Sequence, residues 1–166
     1  MSKLFRTTLW ILSGVGLIAF LVQTLSTFLI SPLMGLLSLL IAAVLVALVI
    51  YLLQRSPMWA RPARLWALLA FLWGGGVAVA LALISSGPVM QLAIGSGWVD
   101  SMMSWSGAYP EEISKATGVI FVLMSFRQLN RPWHGWIVGA VVGLGFEACE
   151  NILYGAMGAT MHPDSD

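Results

Sequence analysis

The residues of this chain best suited to chemistry are five charged side chains that fall within two long apolar stretches. Glu111, Glu112 and Lys115 lie in the first, and Glu147 and Glu150 in the second; these are all the glutamates and one of only two lysines. A charged side chain at the centre of a bilayer costs about 2.5 to 3.5 kcal/mol even on lenient insertion scales, so such groups face a protein interior or an aqueous cavity. Glu111 and Lys115 are spaced i, i+4 and Glu112 and Lys115 i, i+3, so one ammonium can neutralise and orient two carboxylates on a helix. Glu147, Glu150 and Tyr154 follow i, i+3, i+7 and share a face, with Asn151 beside them. Carboxylates held at such depth serve as acid–base groups on a water, as oxygen ligands of a cation, or as relay groups of a cation or proton pathway.

The elements that must position them are membrane helices. Of 166 residues, 59% are apolar and 9% charged, against about a quarter charged in a soluble domain. This composition excludes a soluble globular protein and points to an all-α, polytopic membrane helix bundle. The net charge of +1 supports no nucleic-acid-binding surface, and the single cysteine, Cys149, excludes an intramolecular disulfide framework. The 48 residues between Arg6 and Arg55 carry no charge, room for two spans of about 20 residues. Ser31-Pro32 divides them. The spans are read as 8–30, 33–54, 65–85, 110–128 and 132–155, five in all. Residues 86–109, a mixture of Gly, Ser, Pro, Met and Trp with Asp100, read as an outer loop or an interfacial helix, Pro110 as the first residue of the fourth helix, and 156–166 as a polar tail. The whole chain, 1–166, is expected to be one membrane domain.

Charge placement predicts topology. Lys3, Arg6, Arg55, Arg61, Arg64, Arg127 and Arg131 all fall on one side of these spans, and Asp100, Asp164 and Asp166 on the other. The positive-inside rule therefore places the N-terminus in the cytoplasm of a multi-pass protein of the cytoplasmic (inner) membrane. At 1.5 Å per residue, Glu111 to Lys115 lie within about 8 Å of the outer end of helix four, and Glu150 and Glu147 about 8 and 12 Å below the outer end of helix five. Two antiparallel neighbours can thus share one site. Gly135, Gly139 and Gly143 form a small-residue stripe leading to Glu147, and this face is expected to pack on another helix, plausibly helix four. The Gly74-Gly75-Gly76 run reads as a place of close packing or a kink.

The two charged stretches together resemble a known family. Pro110-Glu111-Glu112-Ile113-Ser114-Lys115 resembles the EExxK motif of the PrsW family of bacterial intramembrane metalloproteases, distantly related to the CAAX prenyl endopeptidases. The glycine-rich run from Gly135 to Gly145, ending in Phe146-Glu147-Ala148-Cys149-Glu150-Asn151 with Tyr154 nearby, resembles that family's FxxxEN helix. The resemblance covers about residues 105 to 155. It implies proteolysis of membrane-embedded or membrane-proximal proteins, with Glu111 and Glu112 essential and Glu150 contributing to the polar centre. In chemical terms, Glu111 would act as general base toward a water, while Glu112 and Glu150 would ligate a divalent metal, zinc by family resemblance, or orient that water. Lys115, Asn151 and Tyr154 would support the centre. The implied partners are membrane lipid and a membrane-anchored protein substrate such as an anti-sigma factor.

The resemblance is incomplete in one respect. It implies a third element, a histidine on a later helix, and the only later histidine is His162, 12 residues beyond Glu150 between Met161 and Pro163. The sequence is thus expected to be either a piece of a longer protease or a degenerate member acting as a membrane binding partner. Glu147 occupies a variable position of the motif. Cys149 reads as a small hydrophobe rather than a soft ligand. His134 is 16 residues, about 24 Å along a helix, from Glu150 and belongs to the inner interface. A cation or proton pathway is the rival class, and it requires a polar route to the inner side that 137–146 and 119–124 do not offer.

Overall fold

The computed structural model describes residues 3–62 and 64–161. Among these residues the chain is entirely helical apart from short connections. Helix α1 spans Lys3–Ile30 and α2 Pro32–Arg55. Between them, Ser31 caps α2, its hydroxyl accepting from the Met34 N–H at 3.4 Å, with Pro32 in the first turn, where the missing N–H is no loss. Helix α3, Arg64–Leu72, continues through a π-helical turn, Trp73–Ala78, into α4, Val79–Gly95, as one long rod. A single 3-10 turn, Val99–Ser101, leads to α5, Met102–Ser125, and α6 covers His134–Met161.

Four rods, starting at Lys3, Pro32, Leu65 and His134, are long and apolar enough to cross a membrane. With its exposed leucines and isoleucines on the outer faces of α1, α2 and α4, the chain is a multi-pass membrane helix bundle. Helix α5 falls outside that set because Glu111, Glu112 and Lys115 interrupt its apolar character.

The structure corrects the expected loop over 86–109. Helix α4 runs on through Ser86, Gly87 and Pro88 to Gly95, and α5 starts at Met102 rather than Pro110, so Pro110 lies inside a helix. The connection is only 96–101. It is closed by a Schellman motif in which Gly97, at φ +78°, donates to the Ile94 carbonyl while Trp98 N–H reaches the Ala93 carbonyl at 2.9 Å. Proline is tolerated inside membrane helices where neighbouring groups compensate the freed carbonyls. Around Pro88, the Ser86 hydroxyl bonds back to the Leu83 carbonyl at 3.1 Å. The first turns of α5 are further fixed by Trp105 stacked on Tyr109, ring centroids 4.3 Å apart, with Trp98 against Trp105 at 4.9 Å. The tail expected from 156 is likewise helical to Met161, and His162 lies outside the described residues.

The core sits around α6, which packs on α1, α2, α3, α5 and the π-turn. Trp66, Trp73, Phe146, Leu69, Val122, Ile137, Val138, Val141 and Val142 are its fully buried side chains. In lipid, van der Waals fit rather than the hydrophobic effect holds such helices together, so backbone approach matters. The three glycines of the π-turn provide it. A Cβ at Gly74 would strike the Val142 carbonyl oxygen, and one at Gly76 the backbone of Gly16 on α1.

Candidate active site

The candidate site is built from the middle of α5 and the C-terminal half of α6, and it begins with what fixes α5. Trp73, in the π-turn, sits directly against Gly118, where a Cβ would collide with the indole ring. Its Nε1–H donates to the Ser114 carbonyl at 3.0 Å, and its ring stacks on Phe121 at 5.2 Å. The backbone immediately before Lys115 is thereby anchored to the core. Nothing in the charge pattern pointed to Trp73; the one signal was its place next to a glycine run.

Lys115 forms the hub. Its Nζ lies 2.9 Å from Glu112 Oε1 and 3.6 Å from Glu111 Oε2, the double pairing that the i, i+3 and i, i+4 spacing predicts. Across the helix interface the same ammonium sits 3.9 Å from the centroid of the buried Phe146 ring on α6. A desolvated cation on an aromatic face is worth about 2 kcal/mol, so Phe146 ties α5 to α6 electrostatically as well as by packing. The side chains of Lys115 and Glu111 are 21% and 31% exposed, whereas that of Glu112 is 72% exposed. The paired acids are therefore not equivalent: Glu111 is sheltered and Glu112 is open.

On α6, Glu150 accepts from the Tyr154 hydroxyl at 3.5 Å and lies within electrostatic range of Glu111, Glu147 and Lys115. Asn151 is half-buried beside it. Glu147 is more exposed than Glu150. With Glu112, Lys115, Gly139, Ala140 and Gly143 it lines an open groove of about 580 Å³ between α5 and α6. The structure thus brings Glu111, Glu147 and Lys115 within electrostatic range of Glu150, while Glu112, Lys115 and Glu147 also line the groove. Cys149 is buried in the core, and its carbonyl accepts from Gln23 Nε2 at 3.4 Å. His134 lies at the opposite end of α6, where its Nδ1 accepts from the Arg131 N–H at 3.0 Å.

The glycine stripe meets its expected neighbour, α5, but at van der Waals rather than backbone distance. Gly135 and Gly139 see α5 only at ordinary contact, with Leu123 and Val119 each 3.9 Å from a built Cβ, and Gly143 has nothing within 4 Å. The close approach instead belongs to Gly145, whose Cβ would meet the Phe71 carbonyl of α3. Four-residue spacing identifies a smooth helix face but not the neighbour that fills it.

Taken together, acidic side chains gather between two helices of a membrane bundle, one sheltered member of the Glu111–Glu112 pair held by a lysine. The family model described as PrsW family intramembrane metalloprotease matches residues 62–166, and the chain belongs to this family. The match begins before α3, so it includes the Trp73 turn that anchors α5, beyond the 105–155 stretch where the motifs are visible. No curated protein and no solved structure gives a significant match to the chain.

Family membership implies a divalent metal, and the donor set can be compared with that requirement. Among the described residues, no group of three or more His, Cys, Asp or Glu side chains is arranged to hold a metal ion. The position between Glu111 and Glu112 that a cation would share is taken by the Lys115 ammonium, and Glu150 is engaged by Tyr154. Glu112 and Glu150, the pair suggested by the motifs as ligands, lack a third donor among the described residues. These side chains alone do not fit a complete metal centre.

Proposed function

We propose that this chain hydrolyses a peptide bond of a membrane-anchored protein, with Glu111 as the general base. The observation that carries this reading is the sheltered Glu111 carboxylate, held by the Lys115 ammonium that sits on the Phe146 ring, and lying within electrostatic range of the Glu150–Tyr154 pair on the adjoining helix. A carboxylate in that setting can take a proton from a water while the resulting hydroxide attacks the scissile carbonyl carbon; the same proton then passes to the leaving amine. Lys115 fixes the Glu111 rotamer and offsets the charge of two acids at membrane depth. Glu112 and Glu150 orient the water, and Tyr154 and Asn151 hold Glu150. The entire chain works as one membrane domain, with its N-terminus in the cytoplasm and the site in the outer leaflet of a cytoplasmic membrane, as the arginine distribution supports. An anti-sigma factor is the substrate that the family resemblance suggests.

A binding member of the family without hydrolysis is the second reading, favoured by the lack of a three-donor group among the described residues. Transport draws less support, since Val122 of α5 and Ile137, Val138, Val141 and Val142 of α6 are fully buried in the apolar core. The deciding experiment is cleavage of a membrane-anchored reporter by the purified chain in vesicles, compared with Glu111→Gln. The protease reading predicts that the variant keeps its helical content and unfolding profile while losing about 10²- to 10⁴-fold in rate. No cleavage by the unaltered chain supports the binding reading instead, and equal cleavage by the two would overturn Glu111 as the general base.

A further inference from the structure

The groove between α5 and α6 is a feature that the acid–base centre does not absorb. Its floor is Gly139, Ala140 and Gly143, and its charged end is formed by Glu112, Lys115 and Glu147. Gly139 to Glu147 spans two helical turns, about 12 Å along α6. A volume of about 580 Å³ accommodates several side chains but not a helix. An occupant therefore lies along the mouth and inserts side chains toward the floor. A Cβ at Gly143 would have no atom within 4 Å, although small residues in membrane helices ordinarily serve close helix–helix contact; Val49 of α2 also borders the groove.

Charge identifies the occupant. Lys115 is engaged with both Glu111 and Glu112, and among the described residues Glu147 has no ion-pair partner. An unpaired carboxylate at this depth is costly, and a cation from outside the chain is what would offset it. A neutral lipid tail fills a groove but offers nothing to Glu147. We infer that the α5–α6 groove docks a single transmembrane helix of another protein, which lays a small-residue face on Gly139 and Gly143 and sets a lysine or arginine of its outer half against Glu147. This rests on the protease reading and deepens it. The groove's charged end includes Glu112, so a helix seated there is delivered to the acid pair, and Glu147 becomes a specificity-determining residue outside the hydrolytic step.

The test is binding rather than turnover. The full chain in lipid vesicles is titrated with two donor-labelled synthetic transmembrane peptides of alanine, glycine and leucine, identical except for one lysine or one glutamine in the outer half, and energy transfer is read. The lysine peptide should bind about tenfold more tightly, the scale of one polar interaction between membrane helices. Glu147→Gln should erase that preference while leaving the binding of the glutamine peptide unchanged. Gly143→Leu, whose side chain enters open space rather than the fold's own backbone, should weaken both peptides. Equal affinity of the two peptides for the unaltered chain would overturn the inference, as would undiminished binding to Gly143→Leu. Lysine-dependent binding without cleavage of any reporter would overturn the protease reading alone, so the two can fail separately.

Discussion

On one face of α6, Gly145 lies so near the α3 backbone that a Cβ would meet the Phe71 carbonyl; at Gly143, two residues earlier, a Cβ would have nothing within 4 Å. Both positions are glycine in the same helix, yet one is closed and the other open. On the closed side the π-turn glycines let α3 and α1 approach, and Trp73 extends the contact to the Ser114 carbonyl. On the open side the acidic residues Glu112 and Glu147 look into a groove. The closed face fixes the helices that carry the acids, and the open face leaves Glu112 and Glu147 accessible. Small residues in a membrane helix can thus serve either backbone contact or access, and only the neighbours decide which.

The contrast can be broken from its closed side first. Gly74→Ala places a methyl against the Val142 carbonyl, which has no freedom to move aside. It should destabilise the bundle by about 3 kcal/mol or more, seen as a lowered unfolding midpoint in detergent titration. Lys115→Met removes the cation shared by Glu111 and Glu112. The expected loss is about 1 to 2 kcal/mol, below the cost of breaking a fully buried pair because Glu112 opens into the groove. The same titration should show it, together with reduced cleavage. Trp73→Phe deletes the hydrogen bond to Ser114 while keeping an aromatic ring, for about 1 kcal/mol; cleavage should fall with it, since α5 loses its anchor. Gly143→Leu should be the mildest, within about 0.5 kcal/mol of the unaltered chain. A large destabilisation there would show that the open face is packed after all.

How far the sequence could be read follows the same division. The Lys115 pairings were legible because i, i+3 and i, i+4 contacts are fixed by helix geometry alone. The joining of α5 and α6 was legible from motif order, whereas the depth argument assumed helix ends at 110 and 155 that lie instead at Met102 and Met161. Residues 86–109 misled because Ser, Gly and Pro read as a loop in water, whereas in a membrane helix hydroxyls bond back to the backbone and proline is accommodated. The true break, Gly97, is one glycine among many in that stretch, and its positive φ is not visible in composition. The Gly135, Gly139 and Gly143 stripe was visible as a stripe, but the open space at Gly143 depends on where α2 and α5 end up. Trp73 was hidden for a similar reason: it lies 41 residues from Ser114 and acts through a backbone carbonyl. The inequality of Glu111 and Glu112 is likewise a matter of exposure, which adjacent positions in sequence do not reveal.

The most direct measurement follows both binding and cleavage of one lysine-bearing transmembrane substrate by the unaltered chain and by Glu111→Gln in the same vesicles. The account predicts equal binding by the two and cleavage by the first alone, with a difference of about 10²-fold or more in rate. Cleavage by Glu111→Gln at the rate of the unaltered chain would contradict it.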